Sequence, residues 1–116
     1  MPMAQKVGGV VPGTLDMLIL KTLALEPMHG YGVGLRIEQI SKGVFQVNAG
    51  SPFPALRRLE RQGWINGEWH ATEDNRSAKY YKLTDAGRRK LKSEAREWQT
   101  HSAAIARILE ATSGEA

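Results

Sequence analysis

The chain has 116 residues, enough for one domain of ordinary size, and its 41% hydrophobic content allows a core that needs no covalent staples. It has no cysteine, which excludes a disulfide framework, a thiolate nucleophile and any cysteine-based zinc site. The formal charge is +4, and residues 76–92 hold seven basic groups against the single acid Asp85, a bias that suits a polyanionic partner.

Residues 1–13 carry no apolar periodicity and are expected to be flexible; they also lack the apolar run of a secretory signal. The most apolar stretch, Leu15 to Leu25, is interrupted by Asp16 and Lys21 and is too short to span a bilayer. A cytoplasmic protein with no membrane partner is expected. The first helix is predicted over Thr14 to Glu26, with Leu15, Leu18, Ile19, Thr22 and Leu23 on one stripe. Thr14 suits the N-cap, Asp16 faces the positive end of the helix dipole, and Pro27 ends the segment. Met17, Leu20 and Leu25 lie off the stripe, so this helix needs cover on two sides.

A second helix is predicted after Met28-His29-Gly30-Tyr31-Gly32, with Val33, Ile37 and Ile40 inward and Gly43 as its stop. Gly32 and Gly34 each cost about 1 kcal/mol relative to alanine inside a helix. Close approach of a neighbouring helix is the expected reason for them. The third helix is predicted over Ser51 to Gln62, with Ser51 as N-cap, Pro52 at the first helical position and Gly63 just past the end. At about 100° per residue, Leu56 and Leu59 face the core, while Pro54, Arg57, Arg58 and Arg61 gather on the opposite side.

Trp64 to Trp69 and Ala78 to Leu83 are composed as strands, joined by the polar run His70 to Ser77, and predict a β-hairpin. The last helix is predicted from the cap Thr84 to about Ala111, leaving 112–116 to fray. Along it Leu91, Ala95, Trp98, Ser102, Ile105 and Leu109 alternate in steps of four and three, the spacing of a helix–helix seam. Such a helix is about 40 Å long, more than one small domain covers, so a second copy of the chain is the expected partner.

Helix, helix, arginine-faced helix, hairpin and long helix make a mainly α (α+β) winged helix-turn-helix, with a two-stranded wing and a C-terminal dimerisation helix. Residues 14–83 form the DNA-binding domain in this reading and 84–111 the dimerisation helix. A helix entering the major groove needs a cationic outer face and small or polar residues at its N-terminus, which Ser51, Arg57, Arg58 and Arg61 supply. Arg76 and Lys79 lie on the wing, where the DNA backbone would pass. Glu73 and Asp74 at the wing tip would repel phosphate.

Leu15, Leu18, Leu91, Ala95, Trp98, Ser102, Ile105 and Leu109 are the expected dimer interface. Trp98 is either dimer core or a platform for a flat aromatic or hydrophobic effector. No cofactor and no metal are expected, because His29, His70 and His101 lack ligand spacing. Ser51, His70 and Asp74 form only a nominal triad, and their cap and wing roles already account for them. An adaptor that uses the winged helix without DNA is the competing class, and it would lack the salt-dependent affinity of phosphate contacts.

Three blocks, MHGYGVGLRIEQ (28–39), GSPFPALRRLERQGWI (50–65) and SAKYYKLTDAGRRKL (77–91), resemble the signature blocks of PadR-type transcriptional regulators. The resemblance covers about residues 13–92, and the short single C-terminal helix resembles the smaller subclass. It implies a dimeric winged-helix DNA-binding protein, usually a repressor and often relieved by a small molecule. Two-fold symmetry of two such reading helices predicts an inverted-repeat operator in double-stranded DNA. The resemblance also implies that Tyr31 lies near the DNA side. Where the family usually carries Leu-Tyr, this chain has Pro52-Phe53, and Phe53 lacks the hydroxyl that commonly holds the DNA backbone.

Overall fold

The computed structural model describes residues 14–47 and 52–114. Ser51, with its expected cap, lies outside the described residues, as do residues 1–13 and the end of the C-terminal tail. Four helices and three short strands follow in chain order: α1 (Thr14–Leu25), β1 (Met28–His29), α2 (Gly30–Ile40), α3 (Pro52–Arg61), β2 (Ile65–Ala71), β3 (Ser77–Leu83) and α4 (Asp85–Glu110).

Ile19, Leu20 and Leu23 of α1, Val33 and Ile37 of α2, and Leu56 and Leu59 of α3 are buried together with Ile65, Tyr81 and Leu83. α1 thus presents two sides to neighbours, as its width of apolar residues requires: Leu20 is buried with Ile19 and Leu23, and Leu15 and Leu18 pack at the rim. One cap and one inward assignment change. Thr14 is helical rather than the cap. Ile40 is exposed, because α2 runs past the end of the core there.

The sheet has one strand more than the sequence suggests. β1 pairs antiparallel with β3, Met28 opposite Tyr81 and His29 opposite Tyr80, and the order is β1-β3-β2. Two residues are too few to show alternation, so this strand leaves no periodic signal. His29 ends the strand and caps α2: its Nδ1 accepts a hydrogen bond from the Gly32 N–H at 3.0 Å. A Cβ on Gly32 would crowd that imidazole, so Gly32 serves the cap. The close helix approach falls at Gly30, where a Cβ would lie 2.7 Å from Cε1 of Phe53 and 3.0 Å from Cδ1 of Leu56 on α3. Gly34 meets Val47 and Pro52 only at ordinary contact distance.

Both α2 and α3 end in the Schellman pattern. At the end of α3 the Trp64 N–H donates to Leu59 O and the Gly63 N–H to Glu60 O, with Gly63 at φ +80°. At the end of α2 the Lys42 N–H donates to Gln39 O and the Gly43 N–H to Glu38 O; Lys42 is left-handed at φ +56°, and Gly43, the stop read from the sequence, follows at φ +82°. β2 and β3 pair from Ile65 opposite Leu83 out to Ala71 opposite Ser77, so the strands reach further and the connecting loop is shorter than expected.

Thr84 joins four elements. Its N–H donates to Trp64 O, its hydroxyl donates to Gly63 O at 2.7 Å, and the same oxygen accepts from the Gly87 N–H at 3.0 Å. The end of α3, the start of β2, the end of β3 and the first turn of α4 meet there. α4 then runs for 26 residues, about 39 Å, and gives the molecule its longest dimension of 66 Å.

Candidate nucleic-acid interface

α3 packs on the core through Pro52, Ala55, Leu56 and Leu59, all buried, and turns Pro54, Arg57, Arg58 and Arg61 outward. The three arginines do not remain equivalent. Arg58 reaches back to α1 and pairs with Asp16 at 2.5 Å. Arg57 and Arg61 form no ion pair with a carboxylate among the described residues, so two guanidinium groups face outward with no acid to satisfy them.

Strand alternation decides what the wing shows to α3. Ile65 and Leu83 bury their side chains at its base, and two and four residues further out the same face carries Gly67 with Tyr81 and Trp69 with Lys79. Lys79 and Trp69 therefore lie on the side of the wing that faces α3. The Lys79 ammonium donates to Glu60 Oε1 of α3 at 2.9 Å. Its route crosses β2 at Gly67, where any Cβ would collide with Cε of Lys79 and crowd Glu60. The Lys79 nitrogen also lies 5.9 Å from the Trp69 ring centroid and 5.6 Å from that of Tyr81, within cation–π range. The hydrogen bond to Glu60 raises the Lys79 pKa above its ordinary value, and burial raises that of the Tyr81 phenol.

Between α2, α3 and the wing lies an open cleft of about 410 Å³ lined by His29, Tyr31, Phe53, Arg57, Trp69, Lys79 and Tyr81, among others. It brings together four residues that the sequence singled out, Tyr31, Phe53, Arg57 and Lys79. Tyr31 is 65% exposed at its edge and is no core residue. Trp69, 68% exposed, joins them although the sequence marks it only as a strand residue. Its one legible signal is the alternation that sets it across from Lys79. Arg76 stands apart at the wing tip, 3.6 Å from Asp74, which also accepts from the Thr72 hydroxyl.

Residues 19–93 match the family model of the transcriptional regulator PadR-like family, which takes in α2, α3, the sheet and most of α1. The chain belongs to the PadR-like family. A PadR family transcriptional regulator from Eggerthella lenta has the same fold, with 32% identity, a TM-score of 0.73 and coverage of 86% of this chain and 85% of that one. A PadR-like transcriptional regulator from Bacillus cereus is 26% identical, with a TM-score of 0.73 over 86% of this chain and 95% of that one. An uncharacterised protein of Lysinibacillus sphaericus is 26% identical over 89 residues, 77% of this chain and 82% of that protein. As a PadR-like regulator the protein works by DNA-binding regulation of transcription and is not an enzyme. No helix among the described residues is long and apolar enough to cross a membrane, and no group of three metal-ligating side chains occurs among them.

The family model ends at residue 93, early in α4. Beyond it this PadR-like chain extends its helix with Trp98, Ile105, Ile108 and Leu109 exposed, Leu109 to 80%. Leu91, Ala95 and Ser102 on the same seam are partly covered, and Leu15 and Leu18 of α1 are partly buried beside the core. A groove of about 360 Å³ between α1 and α4 is lined by Met17, Leu18, Lys21, Leu91, Ala95, Trp98 and Gln99.

Proposed function

We propose that the protein is a homodimeric repressor that reads an inverted-repeat operator with α3. The observation that carries this is the unpaired outward pair Arg57 and Arg61, one turn apart on a helix whose other side is fixed in the core. Arginine forks onto guanine O6 and N7 in the major groove, a contact worth about 1–3 kcal/mol of discrimination. Arg58 contributes less, because binding a base would cost its pair with Asp16. Arg76 on the wing and the first turn of α3, with Phe53 and Pro54, lie against the backbone, and Tyr31 flanks them.

The exposed apolar seam of α4 supports the dimer. A two-fold axis along Trp98, Ile105 and Leu109 buries it and presents two copies of α3 to half-sites about one helical turn apart. The groove beside Trp98 supports a flat hydrophobic effector, which would release the operator by shifting α1 against α4. Selection of bound sequences from a random duplex pool tests the reading. An inverted repeat is expected, and a single unrepeated half-site overturns the dimeric mode. Substituting Arg57 or Arg61 with alanine relaxes base preference at defined positions, whereas uniform loss across all sequences would make both of them backbone contacts.

A further inference from the structure

We propose that Trp69 is the wing's contact to the DNA strand beside α3, and that Glu60 and Lys79 form a latch that holds it there. This rests on the DNA-binding reading above and assigns a residue and a mode of contact within it.

The wing's inner face offers two groups to a duplex lying on α3, an ammonium and an indole. The ammonium is already engaged: Lys79 donates to Glu60 at 2.9 Å and retains about a quarter of its side-chain exposure. Drawing it onto a phosphate would strand the Glu60 carboxylate beside the polyanion. Gly67 keeps the path of the lysine chain open across β2, so the contact is built into the strand rather than being a chance surface pair. The indole is not engaged in the same way. Trp69 sits cross-strand from Lys79, on the face that is buried at the base of the hairpin, yet it is 68% exposed. It lines the same cleft as the unpaired Arg57. An aromatic ring next to an unpaired guanidinium suits a duplex seated on α3: Arg57 turns to a base edge in the groove, and the indole packs on the C–H face of a deoxyribose in the adjoining strand. Lys79, held from α3 and within cation–π distance of the ring, fixes the angle at which the wing carries it. Lys79 is thus a positioning residue.

The test measures affinity of the full-length chain for its selected operator across a salt series. Trp69→Ala should weaken binding about tenfold and leave the slope of log affinity against log salt unchanged, because an indole displaces no counterion. Trp69→Phe should recover most of the loss. Lys79→Gln and Glu60→Gln should weaken binding to similar extents, and the double variant no more than either, as expected of one shared contact. DNA should quench indole emission in the wild type, and Trp69→Phe should remove that quenching while Trp64 and Trp98 remain. This last readout holds even if the alanine variant folds poorly. The proposal is overturned if Lys79→Gln lowers the salt slope by about one while Glu60→Gln strengthens binding, since Lys79 then meets phosphate itself. It is equally overturned if operator affinity and quenching survive the Trp69 substitutions. A wild-type chain that prefers no duplex at all would instead sink the regulator reading, and this proposal with it.

Discussion

Gly87 occupies a position where one methyl group decides the join between the wing and α4. A Cβ there would run into the backbone carbonyl of Trp64 and press on Leu83, and a carbonyl in a hydrogen-bonded turn does not move aside as a side-chain tip does. Gly87→Ala gains helix propensity of about 1 kcal/mol. The overlap outweighs it, and a net loss of about 2 kcal/mol in urea unfolding is expected. Lys42 offers the opposite case. It is exposed and holds φ +56° at the end of α2, a region in which an L side chain is strained. Lys42→Gly should stabilise the fold by about 0.5–1 kcal/mol, read as a rise in the thermal midpoint; a fall would mean that the lysine side chain has a role the backbone does not reveal.

The elements were mostly legible because each carries its own punctuation. Thr84 caps α4, Gly63 closes α3, and the arginine face of α3 turns outward as the wheel requires. What stayed hidden depends on residues distant in sequence. Asp16 and Arg58 are 42 positions apart and Glu60 and Lys79 are 19 apart, and no helical or strand period links them. For that reason Arg58 looks equivalent to its neighbours in the sequence, and Lys79 looks like a free cation. β1 was lost to its length, and the ends of the wing were blurred by polar composition. The wing latch also has a pH signature. Lys79 and Tyr81 both have pKa values raised in the folded state, the first by its bond to Glu60 and the second by burial. Such groups stabilise fully below their unfolded values and lose that contribution as pH rises through the folded ones. The thermal midpoint should therefore show no loss from them up to about pH 9 and fall above it, with Lys79→Gln and Tyr81→Phe each flattening part of the decline.

At the scale of the molecule, α4 is a long arm whose apolar residues beyond Ala95 are largely left in the open. Leu109 and Ile108 are mostly exposed, and Trp98 and Ile105 are about half exposed. Leaving several such side chains in water forgoes roughly 1.5–3 kcal/mol for each that a partner would bury fully. The wild-type chain should sediment as a dimer at micromolar concentration. Trp98→Glu with Ile105→Glu should give a monomer that keeps its core, seen by sedimentation beside an unchanged far-ultraviolet spectrum. A wild-type monomer at that concentration would remove the dimeric mode, and with it the expectation of a repeated half-site.

Thr84 has a mechanical consequence. One hydroxyl and one amide tie the close of α3, both strands of the wing and the root of the arm, and no glycine-rich linker intervenes between β3 and α4. Arm and head are joined there with no flexible spacer, and Leu91, Ala95 and Trp98 of the arm also lie along α1. A tilt of the arm by a few degrees should therefore carry α3 and the wing with it rather than be absorbed as bending. In the proposed dimer, two such levers crossed at their tips would work as a pair of calipers, whose gap is set far from the jaws.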